Sequence, residues 1–422
     1  MRRFLKERLL SALRMIAIFT IRKFKPGIIG VTGSVGKTST KEAIGVVLRR
    51  LRRVRVSPGS LNSEVGLPLA VIGEWSPADL ELVSKNVEPG TKRIRKALFW
   101  SKVIVRGCLQ LMFAPVGGYP ELLVLEYGAD RPGDLKYLLE IAKPQIAVVT
   151  AVGKVPAHVE FYPNVEAVVR EKARLPEGLP TNGFAVLSAD DGAVAAMRER
   201  TRAHVLTFGF SENAEVRVTN FEHRIQEGRP TGISFKLEYG GSFVPVRIDG
   251  SLGRAVALSA AAAGAIGIVF GMHLVRIAEA LAYFDPPRRR MRLMAGMRGS
   301  YLIDDSYNAS PLSVHAAIET VKQLPAARKI AVLGDMLEIG EYAIPAHAAV
   351  GKDAAKVFDI VVAVGPRAKF IAEAAREQGI LKRNVFSFET GDDAKGMLQG
   401  LLRKGDLVLI KASHAMRFDR IV

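Results

Sequence analysis

Apolar residues in this chain fall into short runs bounded by turn residues, and longer stretches of helical composition separate the runs. Residues 27–32 form the first run and predict a buried strand, with a helix over about 37–52 behind it. Leu122-Leu123-Val124-Leu125 predicts a second buried strand ending at Glu126, and Ile146-Ala147-Val148-Val149-Thr150 a third. Short buried strands alternating with helices imply a parallel α/β sheet. Residues 202–250 read differently: the runs at 205–207, 216–218, 233–237 and 244–246 predict antiparallel strands bordering that sheet. An Ala-rich helix is expected at 255–270. Residues 284–290, with Pro286-Pro287-Arg288-Arg289-Arg290, read as a proline-broken basic linker. A second α/β pattern follows, with strands expected at 300–304, 329–333, 360–363 and 407–411. The expected fold is therefore α/β: a central P-loop ATPase-type parallel sheet with an antiparallel border, plus a smaller C-terminal Rossmann-like domain. Expected boundaries are a basic N-terminal segment at 1–26, a central domain at 27–286 with a basic apolar insertion at about 74–118, and a C-terminal domain at 287–422. Two such domains usually enclose a site in their cleft.

The turn after the first strand carries the chemistry. It reads Val31-Thr-Gly-Ser-Val-Gly-Lys-Thr-Ser-Thr-Lys41. Backbone N–H groups of Gly33, Ser34, Val35, Gly36 and Lys37 can point into one concavity and cradle phosphate oxygens, and the helix start adds partial positive charge. In that reading Lys37 reaches the β- and γ-phosphates, the Thr38 hydroxyl holds Mg²⁺, and Ser39 closes the loop. The full Walker A spacing would put a glycine where Val31 stands; the core Gly33-x-x-Gly36-Lys37-Thr38 is intact. The alternative is a tight strand–helix turn that binds nothing. Glu126, at the carboxyl end of its strand, is placed as a Mg²⁺ ligand beside that loop. Taken alone, His158 reads as a structural or surface histidine, and Lys172 as an ordinary helix lysine.

Charge narrows the picture further. The chain has 60 Lys and Arg against 42 Asp and Glu, a formal charge of +18 over 422 residues. Such a balance fits nucleic acid, anionic lipid or a highly anionic substrate without choosing among them. The single cysteine, Cys108, excludes an intrachain disulfide and suggests a reducing compartment. Two segments are both basic and apolar, residues 1–25 and 92–113. The uninterrupted apolar run at 15–21 is too short to span a bilayer, and no small-residue cleavage site follows it. Either the segments lie on an anionic membrane surface, or they pack on the protein's own surface.

Several blocks together resemble one family. They are Thr32-Gly-Ser-Val-Gly-Lys-Thr-Ser-Thr-Lys-Glu42, Asn62-Ser-Glu-Val-Gly-Leu-Pro68, Leu125-Glu-Tyr-Gly-Ala-Asp-Arg-Pro-Gly133, Ile303-Asp-Asp-Ser-Tyr-Asn-Ala-Ser-Pro311, Val332-Leu-Gly-Asp-Met-Leu-Glu-Ile-Gly-Glu341 and His347. Over about residues 27–422 the chain is similar to the Mur ligases, ATP-dependent amide-bond-forming enzymes of bacterial cell-wall synthesis. It most resembles the type that adds D-alanyl-D-alanine to UDP-N-acetylmuramoyl-tripeptide. The resemblance implies a cytoplasmic enzyme, possible peripheral contact with an anionic inner-membrane face, and no specific nucleic-acid partner. It implies ATP and two Mg²⁺ ions: Thr38 and Glu126 on the first, His158 and a carbamylated Lys172 on the second. Arg290 matches a linker arginine that approaches the γ-phosphate, and Asp305 and Asn308 match positions facing the nucleotide. Ser259 stands where the family has an adenine-contacting Asn, Ala255-Val256 where it has His-Asn, and His414 where an arginine meets the second substrate. Family members carry a UDP-sugar-gripping domain ahead of the phosphate loop, where this sequence has 26 residues before its first strand. The two basic segments are expected to stand in its place. Two alternatives remain: a ligase of the same fold joining another carboxylate and amine, and a basic nucleotide-binding protein without ligase activity.

Overall fold

The computed structural model describes residues 2–83 and 93–422, and residues 2–5 and 93 by their backbone alone. Lys92, and the side chains of Arg2, Arg3, Phe4, Leu5 and Arg93, therefore lie outside the described residues.

The larger sheet has nine strands: β1 (Gly27–Thr32), β2 (Val54–Val56), β3 (Leu122–Glu126), β4 (Ile146–Val149), β5 (Phe184–Ser188), β6 (His204–Gly209), β7 (Val216–Gln226), β8 (Arg229–Tyr239) and β9 (Ser242–Asp249). Their spatial order is β2-β3-β1-β4-β5-β6-β7-β8-β9. β1 lies between β3 and β4 and runs parallel to both. Its side chains alternate between two apolar layers, Ile29 and Val31 on one face and Ile28 on the other. That is why the strand reads as a continuous apolar run.

The run at 205–207 belongs to β6, which pairs parallel with β5, not antiparallel as expected. Alternation along a strand carries no direction. The chain returns through a short helix, Gly192–Ala195, and a 3₁₀ segment, Ala196–Arg200, which make a parallel crossover. Only β7, β8 and β9 form the antiparallel border.

The smaller sheet holds β10 (Arg292–Ala295), β11 (Tyr301–Asp304), β12 (Arg328–Gly334), β13 (Ile360–Val364), β14 (Val385–Phe388) and β15 (Asp406–Lys411). Its order is β10-β11-β15-β12-β13-β14, parallel except for β10 at the edge. The two sheets are not separate bodies. One apolar cluster joins Val159, Tyr162, Val168 and Leu252 to Ile303, Val314, Met336 and Leu409.

Two long helices flank the larger sheet: α1 (Arg2–Phe24) and, after α2 (Lys37–Leu48), α3 (Gly66–Ile72) and α4 (Pro77–Glu81), the helix α5 (Arg93–Phe113). Leu13, Ile16, Phe99 and Val103 form a small core with Leu69, Ile72 and Trp75. Phe24 stacks on Tyr119 with ring centroids 4.5 Å apart. One face of each basic helix is thus buried in the protein itself. Among the described residues, no helix is long and apolar enough to cross a membrane.

Candidate active site

β1 delivers the chain into the glycine-rich loop at the carboxyl edge of the larger sheet. Gly33 has φ +144°, and a Cβ there would lie 2.0 Å from Thr150 Oγ1. Gly36 has φ +88° and caps α2 in the left-handed region. The loop departs from expectation in one respect. The N–H groups of Ser34 and Val35 donate to the Ala151 carbonyl, at 2.6 and 3.3 Å. They anchor the loop to the end of β4, so two of the five expected phosphate donors are engaged. The amides of the first turn of α2 keep no intrahelical acceptor. Ser34 Oγ is buried and finds no hydrogen-bond partner among the described residues. Lys37 folds back to donate to Gly33 O at 2.8 Å. Burial lowers its pKa, against the pull of Glu126 and Asp130.

Three chain segments converge around Glu126, which is 1% exposed. Thr38 Oγ1 donates to its Oε2 at 3.0 Å, and Asn62 Nδ2 to its Oε1 at 3.0 Å. Arg290, from the linker, donates to Thr38 Oγ1 at 2.9 Å. Lys41 Nζ stands 3.8 Å from Glu126 Oε2. Lys41 is fully buried and donates to the carbonyls of Ser57 and Gly59, which pins the loop that carries Asn62.

His158 adopts a left-handed backbone, φ +66°. Its Nε2 is 3.4 Å from Asp130 and its Nδ1 2.6 Å from Glu338 of the C-terminal unit. Lys172 lies on the helix Val165–Glu177, 1% exposed beneath the loop. Its Nζ donates to Gly33 O at 3.2 Å. Burial, and secondly the Lys37 charge, bring its pKa down to about 7. The contacts of His158 thus run to two carboxylates, and that of Lys172 to the underside of the loop.

Across the cleft, Arg290 stacks on Tyr307 at 4.1 Å. Its neighbours Arg289 and Met291 both have positive φ, +65° and +50°, so strained backbone aims this side chain. Tyr307 reaches over to hydrogen-bond Ser60, and its ring lies 5.1 Å from that of His414. Asp305 pairs with Lys411 and accepts from Met291 N at 3.1 Å. Its burial pushes the carboxyl pKa up, and Lys411 pulls it down. Asn308 Oδ1 accepts from Ala309 N at 3.0 Å. Ser259 donates to Ala255 O at 3.0 Å, inside its own helix, which commits its proton there.

These residues border one cavity of about 960 Å³. Ser34, Val35, Gly36, Lys37, Thr38, Ser39, Glu126 and His158 line it from the larger sheet, Ser259 and Arg290 from helix and linker, Asp305 and Asn308 from the C-terminal unit. Gly33 and Lys172 lie behind the loop. The size suits a nucleotide with part of a second substrate. The orphaned Ser34 hydroxyl, the folded-back Lys37 ammonium and the helix start fit an anion, so ATP phosphates suit the loop. Thr38 Oγ1 and Glu126 Oε2 are hard oxygen donors that fit Mg²⁺. No group of three His, Cys, Asp or Glu stands ready for a metal among the described residues.

Comparison with known proteins agrees with this geometry. Residues 107–265 match the Mur ligase middle domain, and residues 289–414 the Mur ligase glutamate ligase domain. The UDP-N-acetylmuramoyl-tripeptide--D-alanyl-D-alanine ligase of Mycobacterium tuberculosis is 32% identical, over 96% of this chain and 74% of that protein. The chain belongs to the Mur ligase family. The Bacillus subtilis ligase of the same name is 28% identical, over 98% of this Mur ligase and 79% of its relative. The crystal structure of MurF ligase from Thermotoga maritima in complex with ADP superposes with a TM-score of 0.76 at 27% identity, over 98% of this chain and 82% of that one. The fold is that of the family, and the protein is an enzyme of the ligase class.

Some members of the site had no role assigned from the sequence. Lys41 lies one helical turn after Lys37, a spacing that puts both on the same face of α2, and this was the available signal. Asn62 and Tyr307 sit within recognised blocks. Asp130 and Glu338 had no signal beyond those blocks, because their partner His158 is supplied by another segment.

Proposed function

We propose that this Mur ligase adds D-alanyl-D-alanine to UDP-N-acetylmuramoyl-tripeptide, using ATP, in peptidoglycan synthesis. The names of its relatives support the substrates, and the ADP complex of the Thermotoga maritima enzyme supports the nucleotide. The observation that carries the reading is the convergence of Thr38, Asn62 and Arg290 around Glu126, at the mouth of a phosphate loop and opposite Tyr307 and Asp305.

In this reading a carboxylate oxygen of the tripeptide attacks the γ-phosphorus of ATP. The bond to the β,γ-bridging oxygen breaks, leaving ADP and an acyl phosphate. The amine of D-alanyl-D-alanine then attacks the acyl carbon, loses a proton, and expels phosphate. Two anions must meet in the first step, so positive charge has to converge on them. Lys37 and Arg290 supply it from opposite sides of the cleft. Thr38 and Glu126 would hold a Mg²⁺ ion, which neutralises phosphate charge when bound. Lys172, neutral near physiological pH, is the amine that can take up CO₂. The carbamate so formed, with His158, would complete a second Mg²⁺ site. Gly33, Ser34, Val35, Gly36 and Ser39 shape the phosphate cradle, while Asp305, Asn308 and Ser259 border the nucleotide. The working units are the basic segment 1–26, the ATP-binding unit 27–286 and the C-terminal unit 287–422. The enzyme acts in the cytoplasm, peripherally at an anionic membrane face.

Phosphate release measured with UDP-N-acetylmuramoyl-tripeptide, with and without D-alanyl-D-alanine, tests the reading. Release that needs both substrates, with a product heavier by the dipeptide, is expected. Release supported only by a different carboxylate or amine would move the chain to another reaction of the same fold. His414, beside Tyr307 in the cavity, is the residue through which the amine partner could differ.

A further inference from the structure

Helix α5 buries one face and leaves another bare. Phe99, Val103 and Gly107 point into the protein. Ile94, Leu98, Val105, Leu109, Met112 and Phe113 do not: they are 78, 65, 55, 48, 65 and 74% exposed. At 100° per residue these six fall within about a quarter to a third of a turn of one another, opposite the buried face. They make one apolar stripe along about 28 Å of helix. A soluble monomer rarely leaves so many large apolar side chains bare on one face.

Charge says what covers it. Arg95, Lys102 and Arg106 run along one flank of the stripe. Lys102 pairs with Asp79 at 3.0 Å, and Arg106 donates to Glu74 O at 3.1 Å while lying over Trp75. No acidic residue occurs in α5. Together α1 and α5 carry twelve cationic side chains and one acidic one, +11 of the chain's +18. On α1, Met15 and Phe19 are also bare, at 49 and 44%. A second copy docked on this stripe would bring cationic flanks of like sign together. An anionic lipid surface matches both halves of the pattern: acyl chains take the stripe, headgroups take the cations, and long Lys and Arg stems can reach up to them.

We propose that the outward face of α5 docks in the plane of an anionic bilayer surface. The inference deepens the membrane part of the function proposed above and rests on it. Its test reads binding apart from turnover, so the two can fail separately. The full chain is sedimented with vesicles of phosphatidylcholine, or of phosphatidylcholine with phosphatidylglycerol, at low and high salt. Partition onto the anionic vesicles should exceed that onto neutral ones by at least about tenfold, and should fall with salt. The triple variant Leu98→Ser, Met112→Ser, Phe113→Ser should lose at least about tenfold of that partition with an unchanged thermal melt, since all three side chains are exposed. Arg95→Gln with Lys102→Gln should reduce the preference for anionic vesicles while leaving binding to neutral ones as it was. Equal binding of wild type and triple variant, or no binding to anionic vesicles, would overturn the proposal. So would a dimer in solution that the triple variant abolishes, because the stripe would then belong to a second copy.

Discussion

Lys172→Met tests the electrostatics of the loop in a way that activity alone cannot. The side chain is 1% exposed, and burial with the Lys37 charge beside it lowers its pKa from 10.5 to about 7, against the opposing pull of Asp130 and Glu171. The folded-state value lies below the unfolded one. Between pH 7 and 10.5 the unfolded chain therefore binds a proton that the folded chain does not, and stability rises with pH through that window. Below about pH 7 both states hold the proton and the burial penalty is fully felt. At pH 7 the penalty relative to a permanently neutral side chain is about 4 kcal/mol, and at pH 9.5 it has shrunk to about 1 kcal/mol. Methionine fills a similar volume without a charge, and gives up the hydrogen bond to Gly33, worth about 1 kcal/mol. The variant should be more stable than wild type by about 3 kcal/mol at pH 7, and about equal to it at pH 9.5. Urea unfolding of both proteins in CO₂-free buffer measures this, since the difference between them cancels the other titrating groups. A gap that changes by less than about 1 kcal/mol between the two pH values would refute a neutral Lys172 in the folded enzyme.

The same lowered pKa bears on function. At pH 8 an amine with a pKa of about 7 is about nine-tenths neutral, against roughly three parts per thousand for an ordinary lysine. Only the neutral amine adds CO₂. Wild-type turnover should therefore rise when bicarbonate is returned to CO₂-free enzyme. Lys172→Ala should lose turnover and regain part of it with acetate or formate.

Three other substitutions test separate parts of the site and fold. Lys37→Ala should lower turnover by at least about a thousandfold, because no other cation replaces it within the loop; phosphate release and a normal circular dichroism spectrum together check this. Glu126→Gln should keep an acceptor for Thr38 and hence the fold, yet lose most turnover. Glu126→Ala should also unfold about 3 kcal/mol more easily, since it strips the carboxylate from beside buried Lys41. Arg328→Met should cost about 3 kcal/mol in urea unfolding, because Asp406, 1% exposed, accepts from Arg328 Nε at 2.9 Å and Nη2 at 2.6 Å and would be left buried without its guanidinium partner.

Features set by local chemistry were readable in the sequence. The strand, loop and helix around Gly33, Gly36 and Lys37 follow from apolar run, glycine and helix start, and the structure has them as expected. The position of Glu126 at the carboxyl edge of the sheet is readable because strand ends in a parallel sheet point to one edge. What depends on distant partners was not readable. The direction of His204–Gly209 is not readable, because it depends on where a crossover returns the chain to pair with Phe184–Ser188. The Ser34 and Val35 amides looked like phosphate donors until Ala151, more than a hundred residues later, took them. Ser259 stands in the place of an adenine-contacting Asn, yet its hydroxyl is committed to its own helix. Likewise Lys41 is an ordinary helix lysine until Ser57 and Gly59 close over it.

The basic helices and the catalytic cleft share a wall. Leu61, Val65, Leu80 and Val83 line the cavity, and the same four side chains pack against the small core formed by Leu13, Ile16, Phe99 and Val103. Asn62, which holds Glu126, lies within that stretch of chain. A close-packed layer transmits displacement because it has no slack to absorb it. Any force that seats α5 therefore acts one packing layer from the loop that sets the Glu126 carboxylate. The proposed docking face and the phosphate loop are then mechanically adjacent in this enzyme, although they lie on opposite sides of a small apolar core.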